Sequence, residues 1–400
     1  MHANRPDALA ARGRLAVAAV FFMNGFLTGS WAPQIPVFLS RLAISEFTLG
    51  MLILVFGAGA VVAMTWCGYL ISLHGARAVA RVFGALATFG LLAVALAPNV
   101  PLAALAMFLF GGVIGGMDVA MNANGVVVEK KLSRAIMSSL HGFWSLGGFA
   151  GGAAGGIAIQ RFGHLPHAVA VTLLVAAIAV LALPALYPDE RPVRQEKPKI
   201  GLPRHATVYL VGLMALFSMV PEGAVLDWAA LYLQQELGAD LATAGLAFAG
   251  FSGTMAVVRF LGDGVRNRFG AVATLRASAL VAAAGMLVAG LAPSPWVAIA
   301  AFACCGLGIA NMVPIAFSAA GNQKGLSSGA GMSVVTTMGY SGILMAPSAI
   351  GFVGERTGFG PIFVAVSGLL IVVFLMSGLA RAADFDGAGV LAGNETRGDR

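Results

Sequence analysis

The chain has 400 residues, 59% of them apolar and only 10% charged, with a mean hydropathy of +0.88. Soluble domains carry about 25% charged residues, so this chain cannot coat a water-exposed globule of its size, and a soluble single-core enzyme, a disordered chain, a collagen and a secreted disulfide framework are all excluded. The net charge of +7 lies in small clusters between apolar segments, not on one face with aromatics interleaved, which argues against nucleic acid as a partner.

In chain order, apolar runs punctuated by Pro, Gly and charge predict twelve membrane-spanning helices: 14–39, 47–73, 78–97, 101–128, 135–160, 166–187, 207–233, 241–265, 271–292, 295–320, 328–352 and 359–382. The first run exceeds the ~7–15 residues of a signal-peptide core and reads as a retained span. Breaks such as Pro98-Asn99-Val100-Pro101 and Pro293-Ser294-Pro295 read as tight turns at the membrane surface. The polar segment 188–206 divides a six-helix unit, 1–187, from a second, 207–382, and leaves a tail at 383–400. Gly75 matches Gly270, Gly155 matches Gly351, and the turn near residue 100 recurs near 294, all at offsets of about 195 residues. The expected fold is therefore all-α and membrane-integral, with two pseudo-symmetric six-helix bundles in parallel orientation.

With both termini and alternate loops assigned to one side, that side holds twenty of the 24 Lys and Arg residues. Arg41, Arg161 and Arg356 fall opposite, and Arg259 falls within a helix. This bias predicts that both termini are cytoplasmic. Cys67, Cys304 and Cys305 are odd in number, lie in apolar runs and lack metal-ligand spacing, so they read as packing residues. Neither a metal nor a cofactor is predicted.

A polar group in hydrocarbon is expensive unless it faces a bundle interior, so each one is a candidate. Asp118, Glu222 and Asp227 fall inside spans, with Glu129 and Asp263 near span ends. At ~1.5 Å per residue, Asn24 and Asp118 lie about 15 Å from the predicted cytoplasmic helix ends, and Asn122 and His141 about 9 Å. Asp118 is the candidate proton carrier, with His141 as a relay; the competing reading is an interhelical hydrogen-bonding residue held by Asn122 or His141. Glu222 and Asp227 point about 140° apart on one helix, so one is expected to face the cavity while the other pairs structurally. Pro221 is expected to open the helix before Glu222, and an alternative puts Asp227 beside Trp228 in an outer aromatic belt. Arg259 and Asp263, i and i+4, predict a salt bridge at the cytoplasmic turn. Trp144 and Tyr340 are candidates for stacking on a ligand, or for packing. The glycine run 147–156 has the spacing of close helix contacts and is not a phosphate loop.

The run Gly68-Tyr69-Leu70-Ile71-Ser72-Leu73-His74-Gly75-Ala76-Arg77 resembles the G-x-x-x-D-x-x-G-x-R loop of the major facilitator superfamily, with Ser72 in place of Asp. Its second copy, Arg259 to Asp263 followed by Arg266 to Gly270, keeps more of the family's charges. The stretches 118–122, 141–147, 222–228 and 259–262 are similar to YbjJ-type bacterial inner-membrane permeases near the fucose–proton symporters.

This resemblance implies a central cavity lined by spans one, four, seven and ten, with Asn24, Asp118, Asn122, Glu222, Asp227 and Asn311 on or near it. It implies a gating latch at Arg77, Arg259 and Asp263, and proton coupling through Asp118, His141 and Glu222. The implied protein is a monomeric secondary transporter in the bacterial inner membrane. It would carry a small polar, sugar-like or organic solute by alternating access and proton symport. One competing reading is a drug or metabolite efflux antiporter, because Gly147-Gly148-Phe149-Ala150-Gly151-Gly152 resembles a G-P-x-x-G-G motif with Gly148 for Pro. Another is a non-transporting sensor. No nucleotide-binding motif and no nucleophile–base pair points to an enzyme.

Overall fold

The computed structural model describes residues 5–132, 136–188, 205–323 and 328–383; residues 189–204 of the linker predicted at 188–206, and the tail predicted at 383–400 from residue 384 on, lie outside them. The first half contains α1 (Arg5–Trp31), α2 (Gln34–Leu42), α3 (Glu46–His74), α4 (Ala76–Ala87), α5 (Gly90–Leu96), α6 (Val100–Leu132), α7 (Met137–Phe162) and α8 (His164–Ala185). The second contains α9 (Ala206–Gln235), α10 (Leu241–Phe269), α11 (Ala271–Gly290), α12 (Pro295–Ile309), α13 (Met312–Gly321), α14 (Ser328–Thr357) and α15 (Gly360–Met376), and ends in a 3-10 turn, Ser377–Ala383. Together these form twelve spans. We call the face where α1 begins the terminal face and the opposite one the distal face.

Three spans predicted as continuous are interrupted. Pro33, which lacks an N–H, stands between α1 and α2, where Ile35 bonds back to the Ala32 carbonyl. Between α4 and α5 the Thr88 hydroxyl bonds back to the Gly84 carbonyl at 3.2 Å, a contact that bends helices. The α12–α13 break falls at Ala310–Asn311, where the ring of Pro314 would meet the carbonyl four residues earlier. The opening expected at Pro221 is not there: α9 runs through it without interruption.

Among the described residues, ten spans are both long and apolar enough to cross a bilayer on composition; α7 and α14 are not among the ten. α7 packs between α1 and α10, and α14 between α3 and α9, so each of these two helices touches its own bundle on one side and the opposite bundle on the other.

The two halves repeat in a fixed register of 195 residues (45 to 240, 75 to 270, 163 to 358). Ser45 and Asp240 each cap a helix by accepting from the backbone three residues on, at Thr48 and Thr243. Gly75 and Gly270 make sharp helix–helix corners at φ +85° and +79°, and Gly163 and Gly358 do so at +89° and +78°, a region that side-chain-bearing residues avoid. This register corrects the predicted Gly155–Gly351 match: the counterpart of Gly351 is Gly156. A Cβ on Gly156 would lie 2.5 Å from the Leu241 carbonyl oxygen, and one on Gly351 would lie 2.5 Å from that of Glu46. Leu241 and Glu46 are themselves repeat partners, so two equivalent contacts join the bundles near the distal face.

Candidate functional site: a cavity between the bundles

The bundles enclose a cavity of about 580 Å³, within the ~300–1,000 Å³ typical of small-molecule sites. Its wall reaches Met137, Arg266 and Phe317 at the terminal ends of their helices, and stops at Trp31 and Asp227 on the way to the distal face. Beyond that point the bundles touch. Besides the two glycine contacts, the Gln160 carboxamide donates to Asp240 at 3.5 Å and accepts from the Ala242 backbone N–H at 2.8 Å. The Gln235 amide donates to Glu46 at 3.1 Å. Bonding from the Thr243 backbone N–H holds the Asp240 carboxyl below the usual carboxylate range, so it is an acceptor at neutral pH. Among the described residues, the cavity therefore opens toward the terminal face and is closed at the distal one.

Long helices carry the polar side chains to mid-depth. Asn24 on α1 is buried; it donates to the Ile114 carbonyl at 3.2 Å and accepts from the Trp144 indole N–H at 2.8 Å. Asp118 on α6 lines the cavity, and its carboxylate accepts from the Asn122 amide at 3.3 Å. Asn122 also donates to the Asp118 carbonyl at 2.9 Å and is not among the lining residues, so it positions Asp118 where a ligand contact was predicted. His141 lines the wall with its ring edge-on to Phe21, 5.2 Å between centroids. Asn311 lines it at the α12–α13 break, and Tyr340 from α14 lies within electrostatic reach of Asp118 and Glu222.

Glu222 and Asp227 both line the cavity, although only one was expected to. Glu222 pairs with Arg259 at 3.9 Å. Asp227 is buried beside Trp31 at the distal limit. Its neighbour Trp228 is fully buried and stacked on Phe359, so the aromatic-belt reading does not hold.

Arg259 departs most from its sequence-based expectation. α10 continues to Phe269, which puts Arg259 about 15 Å inside the helix end rather than on the last turn. Its guanidinium donates to the Ser145 hydroxyl at 2.6 Å and lies 5.9 Å from the Trp144 ring centroid; its carbonyl accepts from Ser138 at 2.6 Å. An unbroken polar path, Glu222–Arg259–Ser145, thus crosses from one bundle to the other, and Trp144, the adjacent residue, extends it to Asn24. The side chain of Asp263 lies outside the described residues. Arg77 donates to the Pro184 carbonyl at 2.9 Å, and Arg81 to Leu183 and Pro184; these bonds tie α4 to α8 inside one bundle and do not latch the two together.

Two contributors escaped sequence reasoning, and a third, Glu129, was legible only as a polar group near a span end. Ser145 sits in a glycine-rich run that gives no sign of a partner 114 positions away. Arg266 read as a loop residue, yet it lines the cavity mouth and bonds Ser318 and the Ala383 carbonyl at 2.7 and 2.6 Å. Glu129 caps α7 by accepting from the Ile136 and Met137 N–H groups at 2.8 and 3.0 Å. The cavity's charges are also where the repeat is broken: the counterparts of Asp118, Glu222 and Arg259 are Val313, Leu27 and Met64. Symmetric packing frames an asymmetric site.

Twelve spans in two repeated bundles around a central cavity, largely apolar but holding a few buried charges, define the architecture of a secondary transporter. The family model described as Major Facilitator Superfamily matches residues 17–228 and again 211–391, and the chain belongs to that family. An uncharacterized MFS-type transporter of Yersinia pestis is 34% identical over 364 residues, 90% of this chain and 94% of that protein. Among solved structures, the nucleoside transporter NupG superposes with a TM-score of 0.67 at 13% identity, covering 92% of this chain and 98% of NupG. A variant of the E. coli fucose:proton symporter FucP gives 0.61 at 17%, covering 92% and 98%. The chain is thus a multi-pass membrane transporter of this family.

Proposed function

We propose that this transporter takes up a small polar, sugar-like or organic solute by proton symport through alternating access. Under the positive-inside rule, the terminal face is cytoplasmic, the membrane is a bacterial inner membrane, and the conformation described above is inward-facing. The observation that carries the proton assignment is the setting of Asp118. It faces the cavity, accepts only from Asn122 among the hydrogen bonds described, and forms no ion pair among the described residues. Taking up a proton removes the cost of carrying a bare carboxylate through a dry, occluded state. Glu222, by contrast, already has Arg259 as a counter-ion, so it joins the conformational network and does not share the proton. Asn24, Asn311, Trp144 and Tyr340 offer amide and aromatic contacts suited to hydroxyl-bearing ligands.

The glycine run no longer favours an antiporter. Gly147 and Gly151 back onto the Phe22 and Phe26 carbonyls of α1, and Gly152 and Gly156 onto α10, so packing accounts for the motif. A thermal-shift panel of sugars, polyols and carboxylates identifies a ligand. Adding it to de-energised vesicles that hold the protein then alkalinises the outside for a symporter, acidifies it for an antiporter and does neither for a sensor. Asp118→Asn is expected to lose uphill accumulation while keeping exchange; normal uphill uptake by this variant overturns the proton assignment.

A further inference from the structure

A second hollow, of about 500 Å³, lies outside the transport pathway, on the lipid-facing seam where α3 of one bundle meets α9 and α14 of the other. Phe47 and Met51 form one wall, Leu216 and Val220 the floor, and Met345 and Phe352 the other wall. Phe47, Met51, Met345 and Phe352 are 40%, 39%, 66% and 46% exposed. Along α14 the groove runs from Ser341 to Phe352, about 16 Å at ~1.5 Å per residue. That is roughly half of the ~30 Å hydrocarbon core, or the depth of one leaflet. One turn beyond its distal end stands Arg356. Its guanidinium lies 3.8 Å from the centroid of the Phe352 ring and donates to the Phe352 carbonyl at 2.7 Å.

An exposed cation there is unusual for this molecule. Only three Lys or Arg residues were assigned to the distal side. One of them, Arg41, is spent on the Val94 and Ala97 carbonyls. Nearby acids do not neutralise Arg356 in the bonds described. Glu46 holds the Gln235 amide, and Glu355, the preceding exposed residue, projects about 100° away around the helix.

We infer that this groove is a binding site for an anionic glycerophospholipid of the distal leaflet, with an acyl chain lying over Leu216 and Val220 between Met51 and Met345 and the headgroup phosphate on Arg356. Both recognition elements are present at matching depth: an apolar slot one leaflet long, and a cation fixed at its interfacial mouth. The Phe47 and Phe352 rings pack edge-on, 5.7 Å between centroids, and belong to different bundles. The slot therefore exists in this form only while the distal side is closed, and a lipid that fills it favours that state by its differential affinity. The inference does not depend on which solute is carried or on what drives it.

Native mass spectrometry of the full-length protein, released from micelles doped with equal phosphatidylglycerol and phosphatidylcholine, tests it. The wild type should retain phosphatidylglycerol about fivefold over phosphatidylcholine, the factor of roughly 1 kcal/mol per basic side chain at an anionic surface. Arg356→Gln should bring that ratio to about one, and Met345→Trp, which fills the slot, should reduce retention of both lipids. Equal retention by the wild type, or an undiminished preference in Arg356→Gln, overturns the proposal. Arg356 is exposed, so that variant tests the proposal even if Met345→Trp does not fold.

Discussion

Arg259 shows how a single side chain can organise a carrier and still be misread in one dimension. The i, i+4 spacing to Asp263 is a sound local rule. The decisive partners, however, are Glu222 on α9 and Ser145 on α7, which only tertiary folding brings together. Glu222 and Arg259 are 18% and 12% exposed, so removing either leaves the other largely desolvated and unpaired. Arg259→Gln and Glu222→Gln should each lower stability by about 1–3 kcal/mol. The double variant should cost less than their sum by about 0.5 kcal/mol or more, as read by thermal unfolding in detergent. Strict additivity would show that the pair is not coupled. Asp118, Asn24, His141, Asn311 and Tyr340 were legible in the sequence because polarity inside an apolar run is conspicuous. Ser145 was not, since a serine in a lipid-depth helix can satisfy itself on its own backbone.

At the level of helices, the glycine stripes of α7 serve two kinds of joint. Gly25 on α1 meets α7 so closely that a Cβ would lie within 1.9 Å of the Trp144 carbonyl oxygen, and both helices belong to the same bundle. Gly156 meets α10 of the opposite bundle at the distal end. Gly25→Ala should therefore lower the unfolding temperature, by overpacking that costs about 1–3 kcal/mol. Gly156→Ala should leave that temperature nearly unchanged and lower the disulfide yield between cysteines introduced at 160 and 240. If the two variants behave alike, the division into intra-bundle and inter-bundle joints is wrong. Most span positions were legible from the apolar periodicity, and the register of the halves nearly so. The interruptions at Pro33, Thr88 and Asn311 were not, because an apolar run reports where a helix lies and not whether its backbone bonds are continuous. The unbroken passage through Pro221 makes the same point in reverse.

For the whole molecule, the repeat supplies a symmetric frame and the cavity departs from it, opening only to the terminal face. A cysteine at position 137, at the mouth, should react with a membrane-impermeant thiol reagent from the terminal side in a background lacking the native cysteines. A cysteine at 227 should be protected from reagent applied at the distal side. Rapid distal labelling at 227 would show that the resting population is open the other way. Among the described residues, α7 and α14 are not among the spans that length and composition alone carry across a bilayer, so a translocon would release them less readily. Each has a docking partner made earlier in synthesis, α1 for α7 and α3 for α14, and the nascent chain can draw each one into place by protein contact where hydrophobicity alone falls short.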